Sequence, residues 1–277
     1  MSAFFTNTTG SPGTVLFLNA GDPPLDQLHG LVLDMDKAGI DCLELAVPFP
    51  DSVTDGVVIR RSASRAIESG ITLAQVLEFI RSIKPQLDRM KIVLLADWSH
   101  TVKVPGMAAF LAAVAASGAD GLLIHALPPV LRREYLDVAA EQGIPVVTTC
   151  YSIVSRPETL QEAAHAATAY VYLVAKYGRS GSRPDEGYAA LQETVAELRT
   201  YGTAPIAVGF GVTDRADIDQ LGTIGADAAI IGTAAVAAVE DGLATGRLRP
   251  VFNTFLNKVS PPKITHTEGN SHAHSQA

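Results

Sequence analysis

The stretch "LELAVPFPDSVTDG" (residues 43–56) starts as an apolar run, breaks at Pro48 and Pro50, and closes on Gly56. Extended back to Cys42, the run reads as a buried strand. Glu44 lies inside it, and desolvating an ionised carboxylate costs several kcal/mol unless the group is paired or neutralised. Strand alternation puts Cys42, Glu44 and Ala46 on one face and Leu43, Leu45 and Val47 on the other. The bulky set suits a layer of helices. The smaller set, with the glutamate, suits the mouth of a closed sheet. Apolar surroundings there would raise the pKa of the glutamate and let it carry a proton near neutral pH. The structural alternative is a buried glutamate paired with a lysine or arginine. Asp55 follows eleven residues later. Its loop is long enough to bring the acid back over the strand end, but Asp55 could equally cap the next helix.

Working outward, seven more short apolar runs appear: "TVLFLNA" (14–20), "KIVLLA" (91–96), "GLLIHA" (121–126), "PVVTTC" (145–150), "YVYLVA" (170–175), "PIAVGF" (205–210) and "DAAIIG" (227–232). Longer amphipathic segments separate them, such as "PLDQLHGLVLDMDKAG", running into Gly39, and "PDEGYAALQETVAELRTYG", running into Gly202. Those glycines suit helix stops. "KAGID", "ASGAD", "EQGIP" and "TIGAD" recur just before strands. Strands alternating with helices imply right-handed βαβ units and a parallel sheet. Eight of them fit an α/β fold of the (β/α)8 TIM-barrel type, spanning residues 1–258 as a single domain. The rival is a doubly wound open sheet, whose nucleotide-binding version is weakened by the lack of a Gly-rich fingerprint after the first strand. Residues 259–277, polar and without periodicity, read as a disordered tail. His266, His272 and His274 in it could hold a metal, but ordering a flexible tail is costly and a solvated tail is the plainer reading.

The chain has 277 residues, 47% hydrophobic and 18% charged, with a net charge of -8. That charge speaks against nucleic acid, which needs a basic footprint. Cys42 and Cys150 both fall in strands and read as inert buried thiols, suggesting a reducing, cytoplasmic setting. The first residues lack the pattern of a signal peptide, and no apolar stretch suits a membrane span.

Barrel chemistry sits at the C-terminal ends of strands, which is where Glu44 falls. A second constellation lies in the last third. "VGFGV" (208–212) ends the seventh strand with Gly209 and Gly211, and "IIGTAAV" (230–236) ends the eighth with Gly232 and Thr233 before an Ala-rich helix. Loops after strands seven and eight, with a helix N-terminus, form the usual barrel phosphate cup. Ordinary tight turns are the alternative. "YLVAKYGRSGSRPDEG" (172–187) reads either as a mobile lid over that phosphate or as a plain surface loop.

"AGDP" after strand one, "LELAVPFPDSVTDG", "GFGV" and "IGTAAV" together resemble the tryptophan synthase alpha subunit family, in order and spacing, over about residues 14–242. The resemblance implies a lyase of tryptophan biosynthesis that cleaves indole-3-glycerol phosphate to indole and glyceraldehyde 3-phosphate, with no metal and no organic cofactor. It makes Glu44 the proton-shuttling acid and Asp55 the acceptor of the indole N–H. It places Gly211, Gly232 and Thr233 in the phosphate cup with Gly181 of the lid, Ser180 where the family has a threonine touching the catalytic aspartate, and Tyr172 near the substrate.

The departures cluster. The family's Pro-Phe-Ser-Asp-Pro is "PFPDS" here, its Asp-Gly-Pro is "DGV", its Tyr then Asn-Pro after strand three is "ADWSHTVKVPG", and its Asp-Leu-Pro after strand four is "ALP" (126–128). The lid pattern also differs, at "AKYGRSG". In the family, the loops after strands two and three help to contact a beta subunit. The expected partners are therefore a phosphorylated small molecule and a beta-type subunit whose standard contacts are altered. The alternatives are a barrel of the same descent acting on another phosphorylated compound, and a non-catalytic paralogue serving as a binding or regulatory partner.

Overall fold

The computed structural model describes residues 4–5, 11–152, 155–175, 191–209 and 211–260. Eight parallel strands alternate with helices. They are β1 (Gly13–Asn19), β2 (Cys42–Ala46), β3 (Lys91–Asp97), β4 (Gly121–His125), β5 (Val147–Tyr151), β6 (Tyr170–Val174), β7 (Ile206–Gly209) and β8 (Ala228–Ile231). The sheet order β4-β3-β2-β1-β8-β7-β6-β5 wraps into a nearly closed barrel, its two ends joined by one bridge from Leu122 to Val146. All eight apolar runs are strands, because strands covered on both faces read as continuous apolar segments.

The helices are α1 (Leu25–Ala38), α2 (Val57–Glu68), α3 (Leu73–Ile83), α4 (Met107–Ser117), α5 (Arg132–Glu141), α6 (Pro157–Ala166), α7 (Gln192–Tyr201), α8 (Arg215–Thr223), α9 (Thr233–Ala244) and α10 (Leu248–Val259). Two helices, α2 and α3, fill the β2–β3 crossover, and α3 starts with a reciprocal Thr72–Gln75 capping box. Gly39, Gly118, Gly143 and Gly225, the glycines of the four recurring phrases, have φ of 83°, 76°, 67° and 87°. A side chain would strain each of those turns. Gly202 ends α7 in extended backbone instead; a Cβ there would stand 2.8 Å from the Ala164 carbonyl oxygen.

Two apolar clusters follow the strand alternation. Leu43, Leu45 and Val47 join the large cluster between sheet and helices, while Cys42 joins Val15, Val93, Tyr170 and Ala207 inside the barrel. Phe5 plugs the barrel floor against Tyr170. Burial pushes the Cys150 thiol up to about 12 and the Cys42 thiol well above its usual value, so both stay protonated. Val259 is buried at the end of α10; residues 261–277, with the three tail histidines, lie outside the described residues. Among those described, no helix is long and apolar enough to cross a membrane.

Candidate active site

The C-terminal strand ends enclose a cavity of about 280 Å³. Glu44 and Asp55 both line it, as do Tyr172, Gly211, Gly232 and Thr233. Ser180 and Gly181 lie outside the described residues, as do residues 176–190 of the expected lid.

Glu44 is 1% exposed. Its partner is neither lysine nor arginine: the Tyr170 hydroxyl donates to Oε1 at 2.6 Å, while Oε2 has no hydrogen-bond partner among the described residues. Desolvation raises the carboxyl pKa to about 7, with the tyrosine hydrogen bond opposing the rise. At that value both protonation states are populated near neutral pH.

Asp55 reaches the cavity because its loop doubles back. Asp51 adopts φ 58°, a left-handed turn that aspartate tolerates better than most side chains. The far end of the loop is pinned by Asn19 at the tip of β1, whose Nδ2 donates to the Ile59 carbonyl (3.2 Å) and the Ser62 hydroxyl (3.0 Å) of α2. Arg65 of α2 is held by a bidentate pair to Asp22 and by Glu240 of α9. The N-cap of α2 is Gly56, so Asp55 is not the capping residue. Burial raises its pKa, and a hydrogen bond with Ser52 and the charges of His125 and Arg60 oppose the rise.

Tyr172 follows Tyr170 on the same face of β6. Burial raises its phenol well above the usual value, and the negative charges of Glu44 and Asp55 push it the same way. Gly209 seats this ring: a Cβ there would lie 2.5 Å from Tyr172 Cε2 and Oη. The two glycines of "VGFGV" therefore differ in use. Gly209 makes room for Tyr172, and Gly211, at φ 81°, turns the chain along the cavity wall.

Across the cavity, Gly232 is the N-cap of α9 and Thr233 its first residue. The first backbone N–H groups of a helix have no intrahelical acceptor, and the helix dipole favours an anion there. The buried Thr233 Oγ1 has no partner among the described residues. No lysine or arginine is among the described residues lining the cavity. Backbone amides and a hydroxyl are thus the groups that this end of the cavity would offer to an anion.

Tyr170, Phe49 and His125 are the site residues that the sequence reading passed over. Tyr170 was within reach, because period-two alternation in "YVYLV" aligns it with Tyr172. His125 was too, because Gly121, Leu123 and His125 share a face of β4. The stack in which Phe49 lies between His100 (5.6 Å) and His125 (6.1 Å) joins the segments after β2 and β3 to the end of β4, and no local pattern announces it.

The family model described as tryptophan synthase alpha chain matches residues 5–255. The tryptophan synthase alpha chain of Gloeobacter violaceus is 36% identical over 221 residues, covering 79% of this chain and 78% of that one. That of a Picosynechococcus species is 34% identical over 233 residues, covering 84% and 87%. Among solved structures, Pyrococcus furiosus tryptophan synthase alpha subunit superposes with a TM-score of 0.79 at 27% identity, covering 90% of this chain and 97% of that chain.

Proposed function

The chain belongs to the tryptophan synthase alpha chain family, and from that premise we propose how its cavity performs the retro-aldol cleavage of indole-3-glycerol phosphate to indole and glyceraldehyde 3-phosphate. The phosphate sits at Gly211, Gly232 and Thr233, against the start of α9. The indole ring lies towards Asp55, which accepts its N–H. Glu44 gives a proton to indole C3, and the ring takes up positive charge that the Asp55 carboxylate stabilises. Glu44 then accepts the proton of the adjacent glycerol hydroxyl. The carbon–carbon bond breaks, its electron pair restores the indole, and the hydroxyl carbon becomes the aldehyde. Glu44 ends as it began.

The single observation that carries this reading is Glu44 itself: a fully buried carboxyl with a pKa of about 7, facing the cavity that Asp55 also lines. A structural glutamate has no need of that value, whereas a group that both gives and takes a proton does. Ser180 and Gly181 remain candidates for the lid side of the phosphate site. Two buried, protonated thiols fit a reducing, cytoplasmic setting.

The family pairs with a beta subunit, and here we propose that the standard contacts are altered. The strand-two loop carries Pro50 and Asp51, and the strand-three loop forms a π-helical turn, Trp98–Val102, capped by Asp97. Incubating the pure chain with indole-3-glycerol phosphate and following indole release tests the reaction. Absence of release, with the fold intact, would refute it.

A further inference from the structure

The barrel does not close evenly. Seven neighbouring strand pairs are joined over three to five register positions, whereas among the described residues β4 is joined to the β5 side by a single bridge, from Leu122 to Val146 just before β5. Beyond that bridge the two strands part. The flanking helices are tied to the strands, one at the bridge itself and one beyond it. The Tyr135 hydroxyl of α5 donates to the Leu122 carbonyl at 3.0 Å, and the Thr148 hydroxyl donates to the Ala163 carbonyl of α6 at 2.8 Å.

A second cavity, of about 320 Å³, fills this parting between the strands and α5 and α6. It shares Leu123, His125, Thr149 and Tyr151 with the first cavity, so the two meet at the seam. The seam lies across the barrel from β8 and the start of α9. It also lies on the side of Asp55, which feels the charge of His125. His125 stands at the junction in a fixed orientation. Phe49 stacks on it, His100 stacks on Phe49, and the His100 ring is tied to the Asp97 carboxylate at 2.7 Å. Among the described residues the His125 imidazole has no hydrogen-bond partner. An oriented polar ring without a partner, at the join of two cavities, is a ready contact for a polar group of a ligand.

We propose that the seam is a subsite for a polar substituent on the aromatic ring of the ligand. The protein binds indoles that carry a hydroxyl, amino or carboxamide group on the benzo ring, with the ring at Asp55 and the substituent passing His125 into the second cavity. The inference rests on the orientation proposed above, with phosphate at Gly232 and ring at Asp55. An unsubstituted indole leaves the second cavity to solvent, whereas a substituent that reaches it gains hydrogen bonds.

Calorimetry on the full chain decides the matter, with indole and with indoles bearing each group at each benzo carbon in turn. At least one substituted indole is expected to bind tenfold or more tightly than indole. Thr159→Phe and Ala166→Phe both obstruct the second cavity and touch none of the first. Each should abolish that advantage and leave the affinity for indole within twofold. Thr159 is exposed in the first turn of α6, so its replacement leaves the core alone should Ala166→Phe fail to fold. If every substituted indole binds no better than indole, or if obstruction weakens indole and its derivatives equally, the subsite does not exist. Turnover separates this from the reaction itself. A chain that cleaves indole-3-glycerol phosphate yet prefers no substituted indole refutes the subsite alone. One that prefers substituted indoles yet cleaves nothing refutes the reaction alone.

Discussion

Replacing Glu44 with glutamine should remove activity and at the same time stabilise the protein, in a way that depends on pH. The carboxyl pKa is 4.5 before burial and about 7 in the fold. Between those values the folded chain holds a proton that the unfolded chain has lost, so stability falls as pH rises through the window and stays low above it. A shift of this size, at 1.36 kcal/mol per unit, amounts to about 3 kcal/mol. Glutamine is isosteric, still accepts the Tyr170 hydrogen bond, and has no charge to desolvate. The variant should therefore gain under about 1 kcal/mol over wild type near pH 5 and about 3 kcal/mol near pH 8, less whatever its amide NH2 loses by facing the cavity. In thermal melts that is a gap of about 6 °C opening between the two pH values. Indole release should fall by at least ~10²-fold, the usual worth of a general acid–base group. A gap that is flat with pH, or that widens towards acid, would show that the buried carboxyl does not carry the raised pKa and would remove the basis of its role.

Tyr170→Phe deletes the hydrogen bond that favours ionised Glu44, so whichever limb of the kcat/KM pH profile Glu44 controls should move up by about one unit; an unmoved profile separates the two residues. Gly209→Ala drives a Cβ into the Tyr172 ring, which should destabilise the fold by ~1–3 kcal/mol, and adding Tyr172→Ala should recover at least half of the loss of melting temperature; no recovery would place the clash elsewhere. Gly211→Asp adds a negative charge beside the proposed anion site, and calorimetry with glycerol 3-phosphate should read at least tenfold weaker binding, with Gly211→Ala, which shares the backbone strain but not the charge, losing less. Mixing the chain with a standard tryptophan synthase beta subunit should give no co-eluting complex and no rate gain; co-elution with a tenfold increase, about 1.4 kcal/mol in barrier, would refute the altered-contact reading.

The barrel was legible because it rests on local signals. Strands buried on two faces are apolar runs, and the turns before them need left-handed glycines such as Gly39 and Gly225. The position of Asp55 was only half legible. Loop length permitted its return, but the turn at Asp51 and the anchoring of α2 by Asn19 depend on β1 and β2 being neighbours. The partner of Glu44 was not legible at all from spacing, because Tyr170 lies 126 residues away and meets it only when the barrel closes. The β4–β5 seam escaped for a related reason. "GLLIHA" and "PVVTTC" look like the other strands, since apolar runs report burial and not which hydrogen bonds are made.

The choice of Tyr170 as the partner of Glu44 suits the chemistry proposed for the carboxyl. A buried acid is most simply stabilised by a cation, and a lysine or arginine in contact would favour the ionised form and pull the pKa below its ordinary value. Such a glutamate would stay ionised at neutral pH and could give no proton to a ring carbon. Among the described residues no cation acts on Glu44; those of the flanking elements are directed elsewhere, Arg65 to Asp22 and Glu240, Arg61 to Glu240, and Lys91 to the Phe4 carbonyl and ring at the barrel floor. A neutral phenol gives one hydrogen bond and no charge. It offsets part of the desolvation and leaves the carboxyl near 7. Tyr170 can hold that position because its ring is packed by Phe4 and Phe5, at 5.3 and 5.2 Å, and has little freedom to turn away. Loosening that packing with Phe5→Ala should then act on Glu44 without touching it, shifting the pH profile in the same direction as Tyr170→Phe and by a smaller amount. A profile that keeps its midpoint while the melting temperature falls would mean that the floor of the barrel supports the fold and has no part in setting the proton affinity above it.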